Sequence, residues 1–246
     1  MGMGRFRRSR AAAVIAAVCV MAVALAGCSA PEFTYVKNSD QHVYFKVPFS
    51  WHEVDQHDVE TYFLGEDPNS ELGHRIGMLR PWSVAYDEAD PPIPGHFLFN
   101  SDQPFVYARV EYLTIPERDR VSLDVLRDTI FPVSETRRDE LAKQIADAEK
   151  AGQPSFYPYQ EFEPIDDAVL NPGHGLRGVR SIFNYRLASQ DPPQMSGIYT
   201  FDQTAYLSED STRIYLLIIT CSAECYRQRH AELDSIATSF TVRSSP

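Results

Sequence analysis

The chain has 246 residues, with 23 Lys and Arg against 34 Asp and Glu, for a formal net charge of −11. That balance argues against nucleic acid, which rewards clustered Lys and Arg, and against docking on an anionic lipid surface through charge. Apolar residues make up 43% and aromatic residues 12%, enough for a real core, which excludes disorder for most of the chain.

The first segment has the parts of a secretory signal. Arg5, Arg7, Arg8 and Arg10 form a cationic stretch, and Ala11 to Leu25 is apolar and uncharged. At about 15 residues, that run is short of the ~20 that a bilayer-spanning helix needs. Leu25-Ala26-Gly27-Cys28 closes it, and this run resembles the lipobox of bacterial lipoproteins. The resemblance implies cleavage before Cys28 and a diacylglyceryl thioether on its sulfur. Residues 1–27 then form the signal peptide, 28–40 a lipid-anchored tether and 41–246 a single domain. The protein is expected at the cell membrane on its extracytoplasmic face, with the membrane as a partner through the lipid. Two or more acyl chains anchor stably where one does not. An uncut signal anchor and an ordinary secreted chain are the alternatives. Residues 1–27 hold four Arg and no acid, so the remaining 219 residues carry 19 basic and 34 acidic side chains.

The four cysteines divide cleanly. Cys19 lies in the signal and Cys28 takes the lipid. Cys221 and Cys225 remain as one pair for an oxidising compartment, expected to form a structural disulfide. The alternatives are free thiols, or a metal site with His230 as a nearby ligand. A bridge there would fix a strand-to-helix corner.

Beyond the tether, His42 to Pro48 alternates and ends at proline, a strand signal. Thr61-Tyr62-Phe63-Leu64 and Arg75 to Leu79 are two more candidate strands. Pro81 to Pro104, with five prolines, reads as an irregular surface loop. Phe105 to Leu113 alternates as a strand. Val121 to Ile130 is helical behind Ser122, a plausible N-cap, and Ser134 to Lys150 is helical with Leu141, Ile145 and Ala148 on one face. Phe156 to Phe162 is aromatic and extended. Gly178 to Leu187, Gly197 to Leu207 and Arg213 to Thr220 form an antiparallel meander, with turns at Asp191-Pro192-Pro193 and at Ser208 to Ser211. The run Ile214 to Ile219 is nearly all apolar, which predicts a central strand covered on both faces. Glu224 to Ser235 is a helix and Ser239 to Val242 a last strand. The sum is an α+β fold, an antiparallel sheet flanked by helices.

Two stretches carry a family resemblance. Phe45-Lys46-Val47-Pro48-Phe49-Ser50-Trp51 is a strand, a proline turn and a tryptophan. A long apolar strand and a helix then lead into Leu233-Asp234-Ser235-Ile236-Ala237-Thr238-Ser239-Phe240-Thr241-Val242. The pairing looks like the PsbP/Mog1-type α/β/α sandwich, departing from it by insertion at 81–104 and 131–155. The resemblance implies a binding or assembly module with no shared catalytic constellation, and it supplies no functional residues.

No nucleophile elbow, zinc helix, phosphate loop or dinucleotide fingerprint is present. The loop Asn171 to Gly178 is the most suggestive: its glycines let a backbone approach a ligand, and His174 with Arg177 could bind an anion or act as acid and base. The plainer alternative is a turn before a strand. His52, Glu53, His57 and Asp58 lack zinc-helix spacing and read as surface residues. Trp51, Trp82 and the run Phe156 to Tyr159 could line a groove for lipid or glycan, or be core. No metal or cofactor is expected. The favoured function is a non-enzymatic, lipid-anchored envelope module that binds an envelope protein or a small ligand. An envelope hydrolase near His174, and a lipid or glycan carrier, are the alternatives. Replacing Cys28 by Ala should release the protein from membranes or leave its signal uncut; membrane fractionation with lipid labelling checks this.

Overall fold

The computed structural model describes residues 31–99, 102–153, 159–187 and 197–243. The signal, Cys28, Phe156 to Pro158 and the turn Asp191-Pro192-Pro193 lie outside the described residues. In chain order the elements are β1 (Phe33–Asn38), β2 (Val43–Pro48), β3 (His52–Glu53), α1 (Gln56–Leu64), α2 (Glu71–Leu79), β4 (Trp82–Asp87), α3 (His96–Phe99) and β5 (Phe105–Tyr112). There follow α4 (Ile115–Arg118), α5 (Leu123–Arg127), α6 (Glu135–Lys150), β6 (Tyr159–Gly173), β7 (Leu176–Leu187), β8 (Gly197–Leu207), β9 (Arg213–Ser222), α7 (Ala223–Ser239) and β10 (Thr241–Val242).

Seven strands form one antiparallel sheet in the order β3-β4-β5-β9-β8-β7-β6. β9 is the middle strand, and its apolar run is buried on both faces, as its composition predicts. Tyr215, Leu217 and Ile219 join one core layer, with Val43, Phe45, Val47 and Trp51 of the N-terminal region and Leu233 and Ile236 of α7. Ile214, Leu216 and Ile218 join the other, with Val59, Phe97, Leu126 and Phe131 from the helical side. Period-two alternation along one strand thus feeds two cores. A small sheet, β1-β2-β10, lies with α7 on the first side. This is the α+β arrangement expected, a sheet covered on both faces.

Several elements differ from the sequence expectation. Thr61 to Leu64 and Arg75 to Leu79 are helical, not strands. Caps decide this: the Asp55 side chain accepts from His57 N, Ser70 from Gly73 N, and Gly65 at φ +76° ends α1. Short apolar runs carry no period that separates helix from strand. Pro81 to Pro104 is not all loop, because the proline-free stretch 82–87 is β4, paired along its whole length with β5. Phe33–Asn38, within the stretch expected as tether, is a strand beside β2. α7 runs on to Ser239, whose hydroxyl accepts from Lys46 N at 3.0 Å, so the last strand starts at Thr241. The N-caps at Ser122 and Ser134 and the half-buried Leu141, Ile145 and Ala148 face agree with the sequence pattern.

One buried ionic network holds α7 to the sheet. Asp202 on β8 is fully buried and accepts from Arg180 Nε at 2.9 Å and Nη2 at 2.6 Å, and from the Tyr226 hydroxyl at 2.8 Å. Arg180 Nη1 also donates to Asp234 at 2.7 Å. Hydrogen bonding to Asp202 raises the Arg180 pKa above its ordinary value, and burial followed by the Asp202 charge raises that of the Tyr226 phenol. Replacing Asp202 by Ala should cost about 3–5 kcal/mol, because it strands the buried Tyr226 hydroxyl and takes from the half-buried Arg180 one of its two carboxylates. Asp147→Ala, which breaks an exposed pair with Lys150, should cost less than about 1 kcal/mol. Urea denaturation of both variants checks the contrast.

Candidate functional site

Strand β5 also carries a charged side chain into the interior. Its alternation sends Val106, Ala108 and Val110 into one core layer and Phe105 and Tyr107 into the other. Arg109 and Glu111 continue the second row, so a guanidinium and a carboxylate project to the helical side of the sheet. Ser83 on β4 and Leu216 on β9 stand opposite Arg109.

Arg109 is 7% exposed and Tyr107 only 1%. Arg109 Nη2 donates to Glu111 Oε2 at 2.7 Å. Arg80, just past the end of α2, places its Nε 4.0 Å from the same carboxylate oxygen and donates through Nη1 to Phe63 O at 3.0 Å. Two guanidiniums therefore share one carboxylate. Burial, and then the charge of Arg109, hold the Arg80 pKa below its ordinary value. Burial raises that of the Tyr107 phenol, against the pull of Arg109 and Arg80. The Nε–H groups of Arg109 and Arg80 are both buried and find no acceptor among the described residues. A buried donor without a partner costs about 1–3 kcal/mol, so each calls for an explanation.

Arg109 and Glu111 lie in the wall of a cleft of about 690 Å³, within the range of ligand sites. The cleft opens between the end of β5 and the helices α4 to α6. Leu113, Val125 and Ile214 give it apolar patches, and Ser122, Thr129 and Thr136 give it hydroxyls. Arg80 and Tyr107 face a smaller cavity of about 160 Å³ on the other side of the same row. A third, of about 470 Å³, adjoins Ser134 and the Arg127–Asp167 pair.

The residues singled out in the sequence lie elsewhere. Gly173 pairs with Leu176, so His174 and Gly175 form the two-residue tip of the β6–β7 hairpin. Both have positive φ, +53° and +73°, the geometry of a type I′ turn. A Cβ on Gly175 would meet Glu209 Cγ at 2.5 Å, so glycine also serves close approach there. Arg177 donates to the Ser211 hydroxyl at 3.4 Å. Neither His174 nor Arg177 lines the three cavities. Cys221 is the penultimate residue of β9 and Cys225 lies in the first turn of α7, with Cα atoms 6.0 Å apart, at disulfide distance across the expected strand-to-helix corner. Trp51 is buried in the core and Trp82 packs against it. His52 and Glu53 sit on β3, while His57 and Asp58 sit on α1. Among the described residues no three His, Cys, Asp or Glu are grouped to hold a metal ion.

Solved structures of similar shape exist. The chain is similar to cyanobacterial PsbP from Synechocystis sp. PCC 6803, with 10% identity over 88% of this chain and 96% of that one and a TM-score of 0.44. It is similar to LpqN, described as involved in cell envelope biogenesis of Mycobacterium tuberculosis, with 13% identity over 86% and 91% and a TM-score of 0.42. It is also similar to the Saccharomyces cerevisiae Ran-binding protein Mog1p, with 8% identity over 87% and 96% and a TM-score of 0.40. No known family and no curated protein matches the chain in sequence. The neighbours are of the PsbP and Mog1 kind, and at such identities they say nothing of ligand or partner.

The triad of Arg80, Arg109 and Glu111 is open to a direct check. Glu111→Gln removes the only carboxylate within 4.0 Å of Arg80 and Arg109 among the described ion pairs, leaving two guanidiniums facing each other. It should cost about 1–3 kcal/mol, and the loss should shrink as sodium chloride screens the repulsion. Thermal melts across a salt series check both parts.

Proposed function

We propose that this protein is a lipid-anchored, non-enzymatic binding module of the bacterial envelope, and that the cleft beside Arg109 is where it binds. The observation that carries the binding site is the nearly buried guanidinium of Arg109 in the wall of the 690 Å³ cleft, with one N–H unpartnered among the described residues. Satisfied polar networks hold structure together, as around Asp202. A charge kept partly unsatisfied at a cleft is instead a cost to stability that a ligand offsets. The anchor is supported by the run ending at Cys28, and the acidic balance supports lipid over surface charge as the means of attachment. No helix among the described residues is long and apolar enough to cross a membrane.

A photo-crosslinking residue at Val125, a partly exposed residue in the cleft wall, tests this in native envelopes. It should yield a discrete adduct that is missing when the same residue stands at Val169, an exposed position on β6 outside the cleft. Equal labelling at both positions, or turnover of a substrate by the purified protein, would overturn the proposal.

A further inference from the structure

We infer that the cleft takes an amphiphilic monocarboxylate, its carboxylate on Arg109 and its body against Leu113, Val125 and Ile214. This rests on the cleft being the binding site. The charge arithmetic sets the class. Arg80, Arg109 and Glu111 together carry one net positive charge, so the triad is neutralised by a single negative charge. The lining as a whole works against more. It holds five carboxylates against three guanidiniums, so any anion meets net repulsion on entering, a dianionic phosphate more than a monocarboxylate, and the bond to Arg109 must outweigh it.

The acids are already engaged. Glu117 accepts from Thr114 N at 2.7 Å, and Asp128 accepts from Val133 N, Ser134 N and the Ser134 hydroxyl. Asp124 pairs with Arg127 and Glu140 with Arg137. Of the acids in the lining, Glu111 is the one that pairs with Arg109. A ligand carboxylate has the acceptor oxygens for a charge-assisted bond to the guanidinium of Arg109, and such bonds are about twice as strong as neutral ones. The three apolar residues and the hydroxyls of Ser122, Thr129 and Thr136 suit a body that is mainly hydrocarbon with limited polarity. A small inorganic anion would leave the apolar patches wet.

The test uses the full chain in nanodiscs, with protein-free nanodiscs as the blank, and reads saturation-transfer NMR and calorimetry. The probes are hexanoate, hexyl phosphate, hexylammonium and hexanol. Hexanoate should bind saturably at one site and at least tenfold more tightly than each of the others. Arg109→Gln should weaken it at least tenfold, and Arg109→Lys should restore part of that loss. Val125→Trp, which blocks the cleft without touching the triad, should abolish binding while the melting temperature holds. This second variant keeps the test decisive should Arg109→Gln unfold. Hexanol or hexyl phosphate binding as well as hexanoate, with Val125→Trp still abolishing it, would overturn the carboxylate and leave the cleft as the site. Hexanoate binding unchanged in Val125→Trp, or no binding by any probe, would overturn both.

Discussion

Strand β9 has no face left for water, and the rest of the architecture answers that constraint. Ile214 to Ile219 are apolar almost without interruption and are buried on alternate sides. An antiparallel sheet can leave one side wet, but a central strand of this composition cannot. At about 1.5–3 kcal/mol per buried large aliphatic side chain, exposing either row would forfeit most of the stability of an ordinary domain. The chain must therefore bring elements to both sides. α7 and the small sheet cover one, and helices inserted between β3 and β6 cover the other. The second cover is divided among several helices, most of them short. The cleft beside Arg109 lies among them, at the end of β5.

Charge is handled in two ways on the two sides. Under α7, Asp202 is fully buried and receives three donor atoms, two from Arg180 and one from Tyr226, and Arg180 reaches on to Asp234. That network ties β7, β8 and α7 together and leaves little for a ligand. On the other side, Arg109 and Arg80 divide one carboxylate and each keeps a buried N–H without an acceptor among the described residues. A purely structural role would favour an apolar side chain at Arg109, between Tyr107 and Leu113 in the same row. The cost of burying a charge with too few partners is what makes this position a candidate for recognition.

Much of the frame is legible in the residues themselves. Alternation in Phe105 to Leu113 and the unbroken apolar run at 214–219 are strong local signals, and both segments are strands of the large sheet. Ser122 and Ser134 announce their helices through side-chain capping chemistry. The short runs at 61–64 and 75–79 mislead because four or five residues fit either period, and the deciding groups are the caps at Asp55, Ser70 and Gly65. The glycine-flanked His174 looks chemical in sequence. In the fold its positive φ and that of Gly175 are those of a two-residue hairpin turn. Arg109 has a signal that alternation alone does not rank: a charged residue two positions from Tyr107, on a face whose preceding members are apolar. Glu111 on the same face, two residues on, is the second hint.

By itself the sequence determined the covalent and local facts: the signal-like start ending at Cys28, the cysteine pair, the strand with two apolar faces and the acidic balance. These depend on residue type and short spacing, which hold whatever the fold. Only the tertiary structure decided which charges are buried and which find partners. Arg80 and Glu111 are 31 positions apart by number, and Arg180 and Asp234 are 54 apart. Whether a guanidinium is solvated, paired or left one acceptor short depends on which distant segments pack around it, and no local pattern encodes that.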